Sequence, residues 1–194
     1  MMVQRYKIFI LFILSLNYLA FSCANGRSGR PGEENANNKK QEMQKIDIGS
    51  KAPLVTLPDQ QGKMINLSDL VGKTSLVIFF YPKDESYGCT KEACSFRDSY
   101  EDFKEAGAEV IGISSDDVSS HQSFAAKHKL PFILLSDKDK KASALYGVGT
   151  TLGVLPGRVT FVIDKQGIVR MKFSSQLNFQ KHISEALEIV KKIG

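Results

Sequence analysis

The sequence predicts an α/β domain whose mixed central sheet is covered by helices on both faces. Three observations lead there. The run Ser75-Leu76-Val77-Ile78-Phe79-Phe80-Tyr81 is apolar without alternation, the mark of a strand buried on both faces at the centre of a sheet. From Ile46 onward short β-rich runs alternate with helical periodicity and turn signals, the pattern of a layered α/β domain. Two late apolar runs, Val159–Ile163 and Ile168–Phe173, flank Asp164-Lys165-Gln166-Gly167, which reads as a hairpin whose turn ends on glycine.

Taken in order, strands are expected at 54–57, 63–66, 74–80, 109–114, 132–135, 158–164 and 168–174, and helices at 89–106, 119–128, 140–146 and 178–193. Gly107 and Gly194 fit helix C-terminal caps, and Ser119 or Ser120 fits an N-cap for the helix that holds His121. In the last helix Phe179, Ile183, Leu187 and Val190 recur at spacings of four, four and three, one apolar stripe expected to pack on the sheet as core. A central β-α-β unit followed by a helix and a hairpin is the thioredoxin-like layout. No internal repeat interrupts it.

The chain has 194 residues, 42% hydrophobic and 24% charged, enough for one domain with a substantial core. Residues 1–23 stand apart. Arg5 and Lys7 precede a mostly apolar run from Ile8 to Phe21, and Ala20 and Ser22 lead to Cys23, the form of an N-terminal export or targeting signal. The run is too short for a membrane span. Three fates are open: a lipoprotein signal that makes Cys23 the lipidated N-terminus and tethers the protein to a membrane facing the periplasm or cell exterior, a cleaved secretory signal, or part of a plastid-targeting leader. Residues 24–45 are rich in Gly, Asn, Glu, Lys and Gln and nearly free of bulky apolar residues. Such a segment cannot offset its chain entropy by burial and is expected to be a flexible tether to a domain at 46–194.

The formal net charge of +5 falls to +3 without residues 1–23, which leaves 24 basic and 21 acidic residues. Charges of both signs are interleaved, with neither a basic stripe nor an aromatic ladder, so no nucleic-acid partner is expected. The Cys-x4-Cys pair, with His121, His128 and His182 far downstream, lacks the spacing of a tetrahedral zinc site; those histidines are expected at the surface. Gly147-Val148-Gly149-Thr150-Thr151-Leu152-Gly153 lacks the third glycine position, the lysine and the preceding strand of a phosphate loop. It is expected to be a flexible loop, and no cofactor is implied.

Chemistry concentrates in Phe79-Phe80-Tyr81-Pro82-Lys83-Asp84-Glu85-Ser86-Tyr87-Gly88-Cys89-Thr90-Lys91-Glu92-Ala93-Cys94, which runs from a buried strand through a loop into a helix. Cys89 falls in the first helical turn, where unpaired N–H groups and the dipole favour an anion. A thiolate attacks a peroxide O–O bond to give a sulfenic acid, which a second thiol can condense with. Cys94 is the other cysteine of the domain. In an intact helix, residues five apart have Cα atoms roughly 8 to 9 Å apart, whereas disulfides rarely span more than about 7 Å. A Cys89–Cys94 bond therefore requires the helix to unwind. A structural disulfide and two inert buried thiols are the plain alternatives.

At these residues the sequence resembles the peroxiredoxins, most closely the peroxiredoxin Q or bacterioferritin comigratory protein branch, over roughly residues 46–194. Pro82, Ser86 and Cys89 match the family's Pro-x-x-x-Thr/Ser-x-x-Cys signature, Cys94 matches the branch's resolving cysteine, and Lys91 to Asp98 continue the match. Arg158, in Leu155-Pro156-Gly157-Arg158-Val159-Thr160-Phe161, resembles the family's catalytic arginine. The resemblance implies a thiol-dependent peroxidase for hydrogen peroxide and organic hydroperoxides. In it Cys89 attacks the peroxide, Cys94 resolves the product as a disulfide, and thioredoxin or a similar dithiol restores both. Ser86 then binds thiolate and peroxide oxygen, Arg158 stabilises the thiolate and developing charge, and Pro82 shields the pocket. Ser86 also suits a turn or cap, and Arg158 without the family reads as a surface charge. Tyr87 stands where the branch often has Pro, and Ser86 replaces the commoner Thr. A monomer is the expectation for this branch. A thiol-disulfide oxidoreductase would normally carry Cys-x-x-Cys, and a tethered redox sensor is the non-catalytic reading.

Overall fold

The computed structural model describes residues 46–151 and 155–194; the expected signal at 1–23 with Cys23, and the tether at 24–45, lie outside the described residues. Strands β1 (Thr56–Pro58) and β2 (Met64–Asn66) form a small antiparallel hairpin apart from the main sheet. The main sheet is built from β3 (Ser75–Phe80), β4 (Ala108–Ser114), β5 (Ile133–Ser136), β8 (Val159–Ile163) and β9 (Val169–Ser174), in the order β5-β4-β3-β8-β9. β3, β4 and β5 run parallel, while β8 is antiparallel to β3 and β9 to β8. The sheet is mixed, as the sequence predicts.

Every residue of β3 is buried, because each face of the strand feeds a different core. Val77 and Phe79 pack with Cys89, Ala93 and Phe96 of α1 (Tyr87–Asp98), Phe103 of α2 (Tyr100–Glu105), Phe124 of α3 (Val118–His128) and Ile183, Ala186 and Val190 of α5 (Phe179–Ile193). Leu76, Ile78 and Phe80 point the other way, toward Leu67, Tyr146 and Phe161, with Ala142 of α4 (Lys141–Leu145). Two covered faces need apolar residues at both parities of the strand, which is why no alternation appears.

The hairpin between β8 and β9 closes as expected. Gly167 has φ +78° and donates to the Asp164 carbonyl at 2.9 Å, a left-handed position that glycine occupies without a Cβ clash. Gly107 (φ +77°) follows α2, and the Gly194 N–H donates to Val190 at the end of α5.

Four local expectations change. The helix expected at 89–106 breaks at Ser99, whose backbone (φ −107°, ψ 9°) ends α1 and starts α2; the bend lets Phe103 enter the core and the Tyr100 hydroxyl donate to Glu109 at 2.8 Å. The N-cap of α3 is Asp117, not Ser119 or Ser120, because its carboxylate accepts the Ser120 N–H at 2.9 Å. Within the expected loop 147–153, Thr150–Thr151 (β6) pair with Leu155–Pro156 (β7), while 152–154 lie outside the described residues. His121 and His182 are fully buried, against the surface placement expected, because each is given partners that replace water.

Candidate active site

Strand register positions the site. β8 pairs with β3 so that Val159 lies opposite Phe80, which sets Arg158 beside the loop that leaves β3 and enters α1. Cys89 is the third residue of α1 after the N-cap Ser86, and its side chain is 1% exposed. Arg158 is 4% exposed, and its Nη2 donates to Cys89 Sγ at 3.2 Å. The opposite corner of the guanidinium, Nη1, binds Glu92 Oε2. Glu92 follows Cys89 by three residues and therefore shares its helix face.

The ring of Phe179 holds the guanidinium from below, with Cζ 4.9 Å from its centroid. Phe179 thus does more than continue the apolar stripe of α5. Gly88 makes room for this stack: a Cβ there would lie 2.9 Å from Phe179 Cζ and 3.3 Å from Arg158 Nη2. Any larger residue would push the arginine and its platform away from the sulfur.

The loop before α1 is anchored by Asp84, which is 4% exposed. Its carboxylate accepts from the Tyr81 hydroxyl at 2.7 Å, the Ser120 hydroxyl at 2.7 Å and His121 Nδ1 at 2.9 Å. The Asp84 N–H donates to Asp116 at 2.9 Å, and His121 Nε2 lies 3.2 Å from the Leu135 carbonyl oxygen. Burial raises the Asp84 carboxyl, but His121, Ser120 and Tyr81 outweigh it and hold the group below the usual carboxylate value. This anchor lets Glu85 keep φ +59°, a left-handed conformation that a non-glycine residue adopts at a cost of about 1–3 kcal/mol.

Pro82 is half-buried after Tyr81 and lines a small cavity with Ser114, Ser143, Gly149 and Gly157. Ser86 Oγ donates to the Lys83 carbonyl at 3.0 Å; its hydrogen closes a turn and in this state is not directed to Sγ, which fits the turn reading of that residue. Tyr87 is the first helical residue and 76% exposed, with Lys91 Nζ 4.4 Å from its ring centroid. The first helical position is one where proline fits well.

Cys94 is half-buried five residues along the same unbroken helix, and both thiols are free. It lines a groove with Lys91, Leu177 and Phe179. The pair therefore stands in the separated arrangement that forbids a disulfide while the helix persists.

Sequence reasoning did not single out Glu92, His182, Thr160 or Phe179 as members of the buried network that reaches Cys89 through Arg158. Glu92 was visible as the residue one turn after Cys89. His182 lies three after Phe179 and four before Ala186, inside the buried stripe. Nothing in the local sequence brings Thr160 to it.

The model of the AhpC/TSA family matches residues 48–172. Peroxiredoxin Q, chloroplastic, from Triticum aestivum is 52% identical over 150 residues, covering 77% of this chain and 69% of its own length. The Arabidopsis thaliana protein of the same name is 53% identical over 148 residues, 76% of this chain and 68% of its own. Among solved structures, peroxidoxin BcpB from Mycobacterium tuberculosis superposes with TM-score 0.72 at 38% identity, over 77% of this chain and 99% of that one. Xanthomonas campestris peroxiredoxin Q gives 0.67 at 31%, over 73% and 96%. With its thioredoxin-like sheet and a buried Cys89–Arg158 pair, the chain belongs to the AhpC/TSA family, in the peroxiredoxin Q branch, and is a thiol-dependent peroxidase.

Proposed function

We propose that Cys89 is the peroxidatic cysteine and Cys94 the resolving one, acting on hydrogen peroxide and organic hydroperoxides. The observation that carries the reading is the contact of Arg158 Nη2 with Cys89 Sγ at 3.2 Å in a buried first helical turn. There a guanidinium and unpaired backbone N–H groups favour a thiolate and can bind the oxygen that leaves. The thiolate attacks the terminal peroxide oxygen; the S–O bond forms, the O–O bond breaks, and the departing alkoxide takes a proton. The sulfur is then a sulfenic acid. Cys94 attacks it, the S–S bond forms and water leaves. Thioredoxin or a similar dithiol reduces the disulfide by exchange. Ser86 orients peroxide once its hydroxyl turns from Lys83, and Pro82 shields the pocket. The enzyme works as a monomer.

Disulfide formation requires the first turns of α1 to open, since intact helix geometry holds residues five apart too far from each other. Cys89→Ser abolishes peroxide turnover with thioredoxin and its reductase, whereas Cys94→Ser keeps one oxidation per chain and loses recycling. Full turnover by Cys89→Ser sinks the assignment, and stoichiometric consumption by the wild type would make the protein a sensor. Full oxidation lowers the helical circular dichroism signal; an unchanged spectrum rules out the unwinding step.

Residues 1–23 act as a targeting signal and 24–45 as a tether. Relatives named chloroplastic support plastid delivery, while the export reading with lipidated Cys23 rests on the leader's own pattern. Mass spectrometry of the mature N-terminus with subcellular fractionation separates these two from each other and from a simply cleaved secretory signal.

A further inference from the structure

The first turn of α5 lies against the helix that carries both thiols. Phe179 meets α1 at two places. Its Cζ and Cε1 face Gly88, where an added Cβ would lie 2.9 and 3.2 Å from them. Its side chain also lines the groove that holds Cys94, with Lys91 and Leu177. One residue on, Gln180 Nε2 donates to the Ser95 hydroxyl at 3.0 Å. The same ring carries Arg158, whose Cζ is 4.9 Å from its centroid, and Arg158 Nη2 reaches Cys89 Sγ at 3.2 Å.

Phe179 is tied to the sheet independently of α1. Arg158 immediately precedes β8 and Thr160 follows it by two residues, so both side chains leave the same face of the sheet. His182 follows Phe179 by three residues in α5, so these two are neighbours on the helix. The Ser175 carbonyl, 2.9 Å from His182 Nε2, can only accept, so Nε2 carries the hydrogen and Nδ1 accepts the Thr160 hydroxyl at 2.7 Å. Burial, aided by Arg158 and opposed by Ser175, pushes the imidazole down to about 4. The ring is therefore neutral near pH 7, and both hydrogen bonds persist there. Phe179 on Arg158 and His182 on Thr160 are two rungs of one contact between α5 and β8, and the second sets the position of the first.

The two chemical steps ask opposite things of this contact. Attack on peroxide needs Cys89 seated against Arg158. Disulfide formation needs the first turns of α1 to open, so that Gly88 and Cys89 leave the ring while Arg158 and Phe179 stay with the sheet and α5. We propose that Phe179 is a positioning residue with opposite effects on the two steps: its face seats Arg158 for attack on peroxide, and its edge on Gly88 holds α1 closed against disulfide formation. The inference rests on Cys89 as nucleophile and Cys94 as resolving residue. In the first step the S–O bond forms, the O–O bond breaks, sulfur is oxidised by two electrons and the alkoxide takes a proton. In the second, Cys94 attacks the sulfenic sulfur, the S–S bond forms, and the hydroxide leaves as water with the Cys94 proton. Phe179 acts in the first step through Arg158 and in the second through Gly88.

Leucine at this position lacks the Cε and Cζ atoms that meet Gly88 and has no aromatic face. Single-turnover oxidation in a Cys94→Ser background, with the sulfenic acid trapped and weighed, reads the first step. There Phe179→Leu slows oxidation by roughly 2- to 30-fold, the range of one cation–π contact. The second step is read in the chain with both cysteines, as the rate of disulfide formation at hydrogen peroxide high enough that the rate no longer depends on it. There Phe179→Leu is faster by about two- to fivefold, since less packing is lost on opening. Phe179→Met reaches Gly88 without an aromatic face, so it slows the first step and leaves the second close to the parent. Any other pattern in Phe179→Leu, with the two rates falling together or either one unmoved, overturns the proposal. A Phe179→Met chain that matches the parent in the first step, or the leucine variant in the second, overturns it too. Each of these outcomes leaves the cysteine assignments intact, since those fall only if Cys89→Ser still turns over peroxide or Cys94→Ser still recycles with thioredoxin.

Discussion

Replacing Arg158 by lysine keeps the charge and removes the fork. In the wild type the guanidinium spans two acceptors, Cys89 Sγ through Nη2 at 3.2 Å and Glu92 through Nη1, and its Cζ lies 4.9 Å from the centroid of the Phe179 ring. A lysine ammonium is a compact point charge without that planar spacing. It goes to Glu92, because a buried carboxylate left unpaired costs more than a thiol left with one contact fewer. The loss falls on the sulfur as one charge-assisted hydrogen bond, about 1.5–3 kcal/mol. At about 1.4 kcal/mol per decade of rate, Cys89 oxidation slows by roughly 10- to 150-fold. Single-turnover oxidation in a Cys94→Ser background, with the sulfenic acid trapped and weighed, reads that step alone. The melting temperature of Arg158→Lys stays close to that of the parent, because the charge pair in the core persists. A rate within threefold of the parent would refute the argument that the fork geometry, and not the charge, activates the sulfur.

Glu92 makes stability depend on pH in the unusual direction. Its carboxyl is raised to about 7 by burial, so the folded protein holds a proton that the unfolded chain releases near 4.3. Stability is fullest below that lower value and falls as pH rises to about 7. Denaturant titrations therefore show the difference between wild type and Glu92→Gln shrinking or reversing over this window, by up to about 4 kcal/mol; a constant difference refutes it. Asp84 has the opposite sign. Its carboxyl is held low by His121, Ser120 and Tyr81 against burial, so its contribution is present above about pH 4 and lost as pH falls through the folded value. Asp84→Asn costs about 3–5 kcal/mol near neutrality, measured by urea unfolding, and the gap narrows in acid. Gly112→Ala tests the core: a Cβ would lie 2.7 Å from Leu134 Cδ2 and 2.8 Å from Phe79 Cζ, and overpacking of that kind costs about 1–3 kcal/mol in the same assay.

Much of the fold was legible because its signals are local. The unbroken apolar run of β3 required two cores, and both exist. Gly167 marked a turn that only a short side chain closes without strain. The stripe of α5 turned Ile183 and Val190 inward. Ser99 was opaque for the opposite reason: the helix breaks where Tyr100 and Phe103 must meet Glu109 and the core, partners that helical periodicity cannot weigh. His121 and His182 looked like surface residues because a histidine's burial depends on acceptors and donors supplied from elsewhere, here Asp84 and Leu135 for one, Thr160 and Ser175 for the other.

The sequence by itself placed Cys89 in the first turn of a helix after a buried strand, where it faces unpaired N–H groups whatever the rest of the chain does. It also determined that Cys94, five residues on, needs an unwound helix to reach it. Only the tertiary structure decided what surrounds the sulfur. Arg158 is 69 residues from Cys89 in the chain and arrives because β8 pairs with β3 in the register that sets Val159 against Phe80. His182 arrives with α5 and meets Glu92 in a space closed to water. Local periodicity fixes which way a side chain points along its own element, whereas the charges that share a dry pocket are chosen by sheet register and helix packing.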